Sequence, residues 1–147
     1  MFTTFRCCAA IALGALPATA AAIDYRAVAH SAILYASPAE DSEKLYILAA
    51  GTPVEIVVER EQWVRVREPG GSLNWLQRTA LAEHRTVMIT AESALVRERP
   101  NADARPVFEA ARNVVLDLIG APESGWIEVR HQDGQSGFLR VTEVWGL

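Results

Sequence analysis

The sequence predicts an all-β protein made of two small modules in tandem. Its first support is an internal repeat. Leu45, Gly51, Val54, Ile56, Trp63-Val64-Arg65-Val66, Trp75-Leu76 and Thr79 return 62 or 63 residues later as Val107, Asn113, Leu116, Leu118, Trp126-Ile127-Glu128-Val129, Phe138-Leu139 and Thr142. Spacing this regular is the mark of a duplicated structural unit. The second support is period-two alternation with little helical periodicity, and the third is turn chemistry between the alternating runs.

The elements follow in chain order. Arg6 is the only charge before Asp24, and Cys7 to Leu16 is an apolar run followed by Pro17 and small residues. The run is too short to span a bilayer, which needs about 20 residues. Residues 1–22 therefore read as a cleaved export signal, with small-x-small sites at Ala18-Thr19-Ala20 and Ala20-Ala21-Ala22. Cys7 and Cys8 precede the run and leave with it, so the processed chain has no thiol for disulfides, redox chemistry or thiolate metal sites.

The first module is expected over residues 24–83 and the second over 84–147. In the first, Tyr25 to Ala29 opens, Val54 to Val58 is a β-branched run, and Trp63 to Arg67 alternates with Val64 and Val66 inward. Glu68-Pro69-Gly70-Gly71-Ser72 turns the chain, and Leu73 to Leu76 returns. In the second, Thr86 to Thr90 opens, Val114 to Ile119 is β-prone, and Trp126 to Arg130 alternates with Ile127 and Val129 inward. Asp133-Gly134 predicts a type I′ turn before Ser136 to Arg140. Ala36 to Glu43 and Arg97 to Arg105 read as polar loops, whereas Leu81 to Arg85 is short and lacks Gly, Pro and Ser. The two modules should therefore touch, which helps units of about 60 residues that are marginal alone.

Composition narrows the function. Without Arg6, 13 basic residues face 18 acidic ones, a net charge of −5. That disfavours nucleic acid and anionic lipid as partners. His30, His84 and His131 are scattered, with no His-x-x-x-His spacing and no Asp–His pair apparent in the sequence. Gly-x-Ser-x-Gly and phosphate-loop motifs are absent as well. The expectation is a protein that is not an enzyme, with no cofactor and no metal.

Several pieces resemble bacterial SH3 repeats. Ala94-Leu95-Val96-Arg97 with Pro100 is similar to their LNVR…P opening, Gly125-Trp126-Ile127-Glu128-Val129 to their GWxxV strand, and Gly137-Phe138-Leu139 to GWV. Trp63 to Trp75 resembles the W-x-x-V-R-D-P-D-G-x-x-G-W segment of tandem SH3 domains in exported proteobacterial proteins. His84-Arg85-Thr86-Val87 and Val144-Trp145-Gly146-Leu147 resemble the linking and closing motifs of that family. Ala32-Ile33-Leu34-Tyr35 departs from the usual opening, Asn74 replaces a glycine, and Asn113 stands opposite Gly51. Asn tolerates positive φ, which makes such swaps mild. The resemblance implies two small, half-open, five-stranded SH3-like barrels that bind rather than catalyse. It also implies a periplasmic or secreted monomer, without membrane insertion once the signal is cleaved. Its expected partner is peptidoglycan peptide or an extended segment of a periplasmic protein. The alternative is an assembly protein that contacts an envelope complex through sheet edges or a flat surface.

The candidate ligand-binding residues are Trp63, Trp126, Tyr35, Arg65 and Arg97. With the valines and isoleucine inward, Trp63 and Trp126 point to the opposite face, beside Arg65/Arg67 and Glu128/Arg130. Tryptophan gives large contact area and one N–H donor. The same rings could instead pack under a loop or between the copies. Tyr35 stands where an arginine is usual, and Arg97 could fork onto a carboxylate. Trp75 and Phe138 read as core or half-buried, and Trp145 as a staple for the last strand. The unlike charges beside the two tryptophans predict different ligand preferences.

Overall fold

A computed structural model describes residues 22–147. All but the last residue of the expected signal, including both cysteines, lie outside the described residues. The first module runs β1 (Asp24–Val28), β2 (Ala32–Tyr35), β3 (Lys44–Leu48), β4 (Pro53–Glu59), β5 (Trp63–Arg67), β6 (Leu73–Gln77) and β7 (Leu81–Ala82). The second runs β8 (Thr86–Ile89), β9 (Ser93–Arg97), β10 (Pro106–Ala111), β11 (Val115–Leu118), β12 (Trp126–Arg130), β13 (Ser136–Arg140) and β14 (Val144–Trp145). One 3₁₀ turn, Arg78–Ala80 or Val141–Glu143, precedes each closing strand.

The duplication extends to topology. The sheet orders are β3-β2-β6-β5-β4-β1-β7 and β10-β9-β13-β12-β11-β8-β14, strand for strand the same. Each sheet holds seven strands where five were expected. Beyond the four runs named in each module, the sheet holds a hairpin, β2–β3 or β9–β10, whose connection is the polar loop, and a two-residue closing strand, β7 or β14. Arg97 belongs to the end of β9 rather than to that loop.

Alternation puts one face of each sheet into its own core. Leu34, Val54, Val64, Val66 and Leu76 are fully buried in the first module. Val87, Ile89, Val96, Ile127, Val129 and Leu139 are buried in the second, with exposures of 0–1 %.

Turn chemistry explains the connections, with two corrections. Gly51 (φ 81°) and Asn113 (φ 68°) occupy the same left-handed corner, so the Asn-for-Gly swap holds at that place. At Asn74 the reason differs. Neither Asn74 nor its counterpart Gly137 has positive φ. Gly137 is small because a Cβ there would lie 2.5 Å from the Arg97 carbonyl oxygen. The Asp133-Gly134 turn is also not type I′, since only Gly134 has positive φ (93°). The Gly134 N–H donates to the His131 carbonyl, and the His131 N–H to the Gln135 carbonyl. This is a tight turn followed by one left-handed glycine, as at Gly71. The same turn sets His131 Nδ1 3.0 Å from an Asp133 carboxylate oxygen, an exposed pairing that the scattered spacing did not suggest.

The modules touch. The Thr86 hydroxyl, buried with its residue, donates to the Gly51 carbonyl at 2.7 Å across the boundary. Tyr25 of β1 meets Trp145 of β14 edge-on, with ring centroids 5.0 Å apart. Trp145 therefore staples the second module to the first as well as pairing with β8. Gly146 (φ 114°) lets the chain pass, because a Cβ there would sit 3.0 Å from Pro53.

Burial first, then the Glu55 carboxylate, holds the Tyr25 phenol above its ordinary pKa of 10.0. The unfolded chain ionises first, so this residue's contribution is complete below pH 10 and declines above it. Melting curves between about pH 9 and 11 should show a steeper alkaline fall for the parent than for Tyr25→Phe. Identical slopes would assign the fall to other groups.

Candidate functional site

The outer face of β5 and β6 assembles the first site. With Val64 and Val66 in the core, Trp63 and Arg65 project from the opposite face. Cross-strand register sets Arg65 opposite Trp75 and Trp63 opposite Gln77. Tyr35, at the end of β2, pairs with Trp75. The Tyr35 ring meets Trp63 edge-on at 5.0 Å and 84°. Tyr35 is only 8 % exposed, so it acts chiefly as the wall that orients Trp63.

Trp63 is half-buried and borders a concavity of about 340 Å³ with Glu40, Glu61, Gln77 and Arg78. The Arg60 guanidinium lies 5.0 Å above the Trp75 ring, a cation–π contact. Arg65 is half-buried, and its Nε has no hydrogen-bond partner among the described residues.

The second site is built the same way. Trp126 and Glu128 project outward between buried Ile127 and Val129, opposite Arg140 and Phe138. A reciprocal pair of backbone hydrogen bonds of 2.9 Å joins Glu123 and Trp126 across Ser124-Gly125. Both central residues are left-handed (φ 50° and 83°), so the type I′ geometry occurs here. The turn fixes Glu123 against the tryptophan.

Trp126 stands between two hollows. One, about 330 Å³, is lined by Pro100, Glu123, Trp126, Glu128 and Phe138 among others. The other, about 390 Å³, is lined by Arg97, Glu109, Trp126, Arg140 and Glu143 among others. The Arg140 guanidinium covers the indole at 5.0 Å. One Arg97 N–H donates to the Ala104 carbonyl at 2.7 Å and braces the polar loop.

The five candidates thus separate into two sites. Trp63, Tyr35 and Arg65 lie together in the first module, while Trp126 and Arg97 border one hollow in the second. Arg60, Glu123 and Arg140 were not singled out from the sequence. Arg60 and Glu123 each lie three residues before a tryptophan, and that spacing was their only signal. Among the described residues no group of three or more His, Cys, Asp or Glu is placed to hold a metal. Among them, too, no helix is long and apolar enough to cross a membrane.

A model of the bacterial SH3 domain matches the chain twice, at residues 28–83 and 90–146. No curated protein matches. Similar solved structures include NlpC2 and NlpC1 from Trichomonas vaginalis and an NlpC/P60 family protein from Bacillus cereus ATCC 10987. Identities are 12, 13 and 15 %, with TM-scores of 0.38, 0.37 and 0.38. The matches cover 84, 87 and 83 % of this chain and 48, 47 and 56 % of those proteins, so the chain spans about half their length.

Proposed function

The chain belongs to the bacterial SH3 domain family, and from that premise we propose that it is an exported, non-enzymatic binding module. Its tryptophan faces recognise extended peptide, with peptidoglycan stem peptide as the ligand, in the periplasm or outside the cell. The observation that carries this reading is the pair of half-buried tryptophans, Trp63 and Trp126. Each is held outward by the strand register at the rim of a concave, partly polar surface. An aromatic wall beside a few convergent polar groups suits a peptide held along its length.

The test is co-sedimentation of the protein with purified sacculi at low and moderate salt. Retention should survive moderate salt, and Trp63→Ala should weaken it by about tenfold or more, as loss of a central aromatic contact does. The variant must keep the parent's circular dichroism. No retention of the parent would overturn the wall ligand.

One observation favours a second reading, assembly through a sheet edge. β3 ends its sheet and exposes Leu45, Tyr46 and Ile47 (37, 42 and 66 %). An open apolar edge can accept a partner strand. Self-association indifferent to both tryptophans would support it.

A further inference from the structure

The two sites share strand register but reverse charge at two matching positions, although the turn before the tryptophan is left-handed only in the second module. Arg60 and Glu123 occupy the same place, since the backbone N–H of each donates to the carbonyl of its module's tryptophan, Trp63 or Trp126. Arg65 and Glu128 also correspond, each standing opposite the aromatic of the next strand, Trp75 or Phe138. At both positions an arginine of the first module is a glutamate in the second. The aromatic partners stay aromatic.

The hollow beside Trp126 shows the result. Among the described residues Glu123 and Glu128 are its only charged lining residues, and its walls include Pro100, Trp126 and Phe138. Among the described residues neither carboxylate has an ion-pair partner within 4.0 Å. The cations nearby are committed elsewhere. Arg140 covers the indole and lines the other hollow, and Arg97 braces Ala104. Two unpaired carboxylates and an aromatic ring around a concavity suit a compact cation on an alkyl stem. The carboxylates attract the charge, and the aromatic and proline surfaces cover the methylenes.

We propose that this hollow is a site for a primary-amine side chain, the protonated amine lying between Glu123 and Glu128 with its stem against Trp126 and Phe138. The inference rests on the tryptophan faces being peptide-binding. Such amines occur on wall stem peptides and on protein lysines, and the chemistry read by the hollow is the same for both.

The probe is acetyl-Ala-Lys-Ala-amide, titrated into the ¹⁵N-labelled protein and compared with the uncharged norleucine analogue. The lysine peptide should shift the Trp126 indole N–H and the backbone signals of Glu123 and Gly125, leaving Trp63 unmoved. It should bind about five- to tenfold more tightly than the norleucine peptide, a preference that shrinks as salt rises. Glu128→Gln, which keeps the shape, should remove most of that preference with the spectrum otherwise intact.

Equal binding of both peptides, shifts at Trp63 instead of Trp126, or no shifts at millimolar peptide would each overturn the proposal. Sacculi retention that persists in any of these cases would leave the broader peptide-binding reading standing. A parent that is not retained, yet binds the lysine peptide at Trp126, would keep the amine site and reject the wall ligand. Sacculi with acetylated amines separate the sources. Lost retention assigns the occupant to the wall, and unchanged retention alongside lysine-peptide binding assigns it to a protein.

Discussion

Leu139→Ala should cost about 2–5 kcal/mol, the range for emptying a fully buried leucine site. Leu139 is 0 % exposed, opposite Ile127 in a core that includes Val96 and Val129. A module of about 60 residues has little margin to absorb such a loss. Leu76→Ala makes the equivalent cavity in the first module, where Leu76 is also 0 % exposed. The pair asks whether the modules unfold together. Trp63 and Trp75 report on the first, Trp126 on the second and Trp145 on the boundary with Tyr25. If the Thr86–Gly51 hydrogen bond and the Tyr25–Trp145 contact couple the modules strongly, either variant lowers a single fluorescence transition. If coupling is weak, each variant produces two transitions and lowers only its own. Denaturant titration with near-ultraviolet circular dichroism of the same samples checks the assignment.

Gly137→Ala should cost about 1–3 kcal/mol, the range for overpacking a tight site. The added Cβ would stand 2.5 Å from the Arg97 carbonyl oxygen and 2.8 Å from Val96 Cγ1. Backbone cannot swing aside as a flexible side chain does, so β9 and β13 must separate at their Phe138–Arg97 pairing. That pairing also sets the position of Arg97 at the hollow it lines with Glu109, Arg140 and Glu143. The substitution should lower the midpoint of unfolding and broaden amide signals along β9. Asn74→Gly, at the matching position, is the control. It adds no bulk and removes a side chain that donates to the Tyr46 hydroxyl at 3.3 Å, so its effect should be about 1 kcal/mol or less. A Gly137→Ala protein as stable as its parent would show that β9 yields at no cost.

What could be read from the sequence, and what could not, follows from the range of each signal. Val64/Val66 and Ile127/Val129 announced their inward register because alternation is a local property of the strand. Asn113 announced its corner because its φ preference is local as well. β3 and β10 were missed because they flank polar, proline-containing loops and pair across the loop rather than through a tight turn. Asp133-Gly134 carries the residue preference of a type I′ turn, yet that geometry falls at Ser124-Gly125, where Ser124 takes the left-handed conformation next to Gly125. The sites suffered most from this. Tyr35 becomes a wall only once β2 lies beside β6, and Glu123 becomes part of a hollow only once a two-residue turn returns it to Trp126. Both placements depend on hydrogen bonds that composition and period do not encode.

The short connection between the modules has a consequence for avidity. β7 ends at Ala82 and β8 begins at Thr86, so only Glu83, His84 and Arg85 join them. The Thr86 hydroxyl then closes onto Gly51. With so little slack, a second face that binds as proposed would meet its ligand at an effective concentration set by the spacing of sites on the ligand rather than by linker length. A polymer that repeats its peptides at a compatible interval would be held at two points, and one with a mismatched interval at a single point. If both faces bind peptide as proposed, the pair of modules would act as a gauge of spacing, a property that neither module has alone.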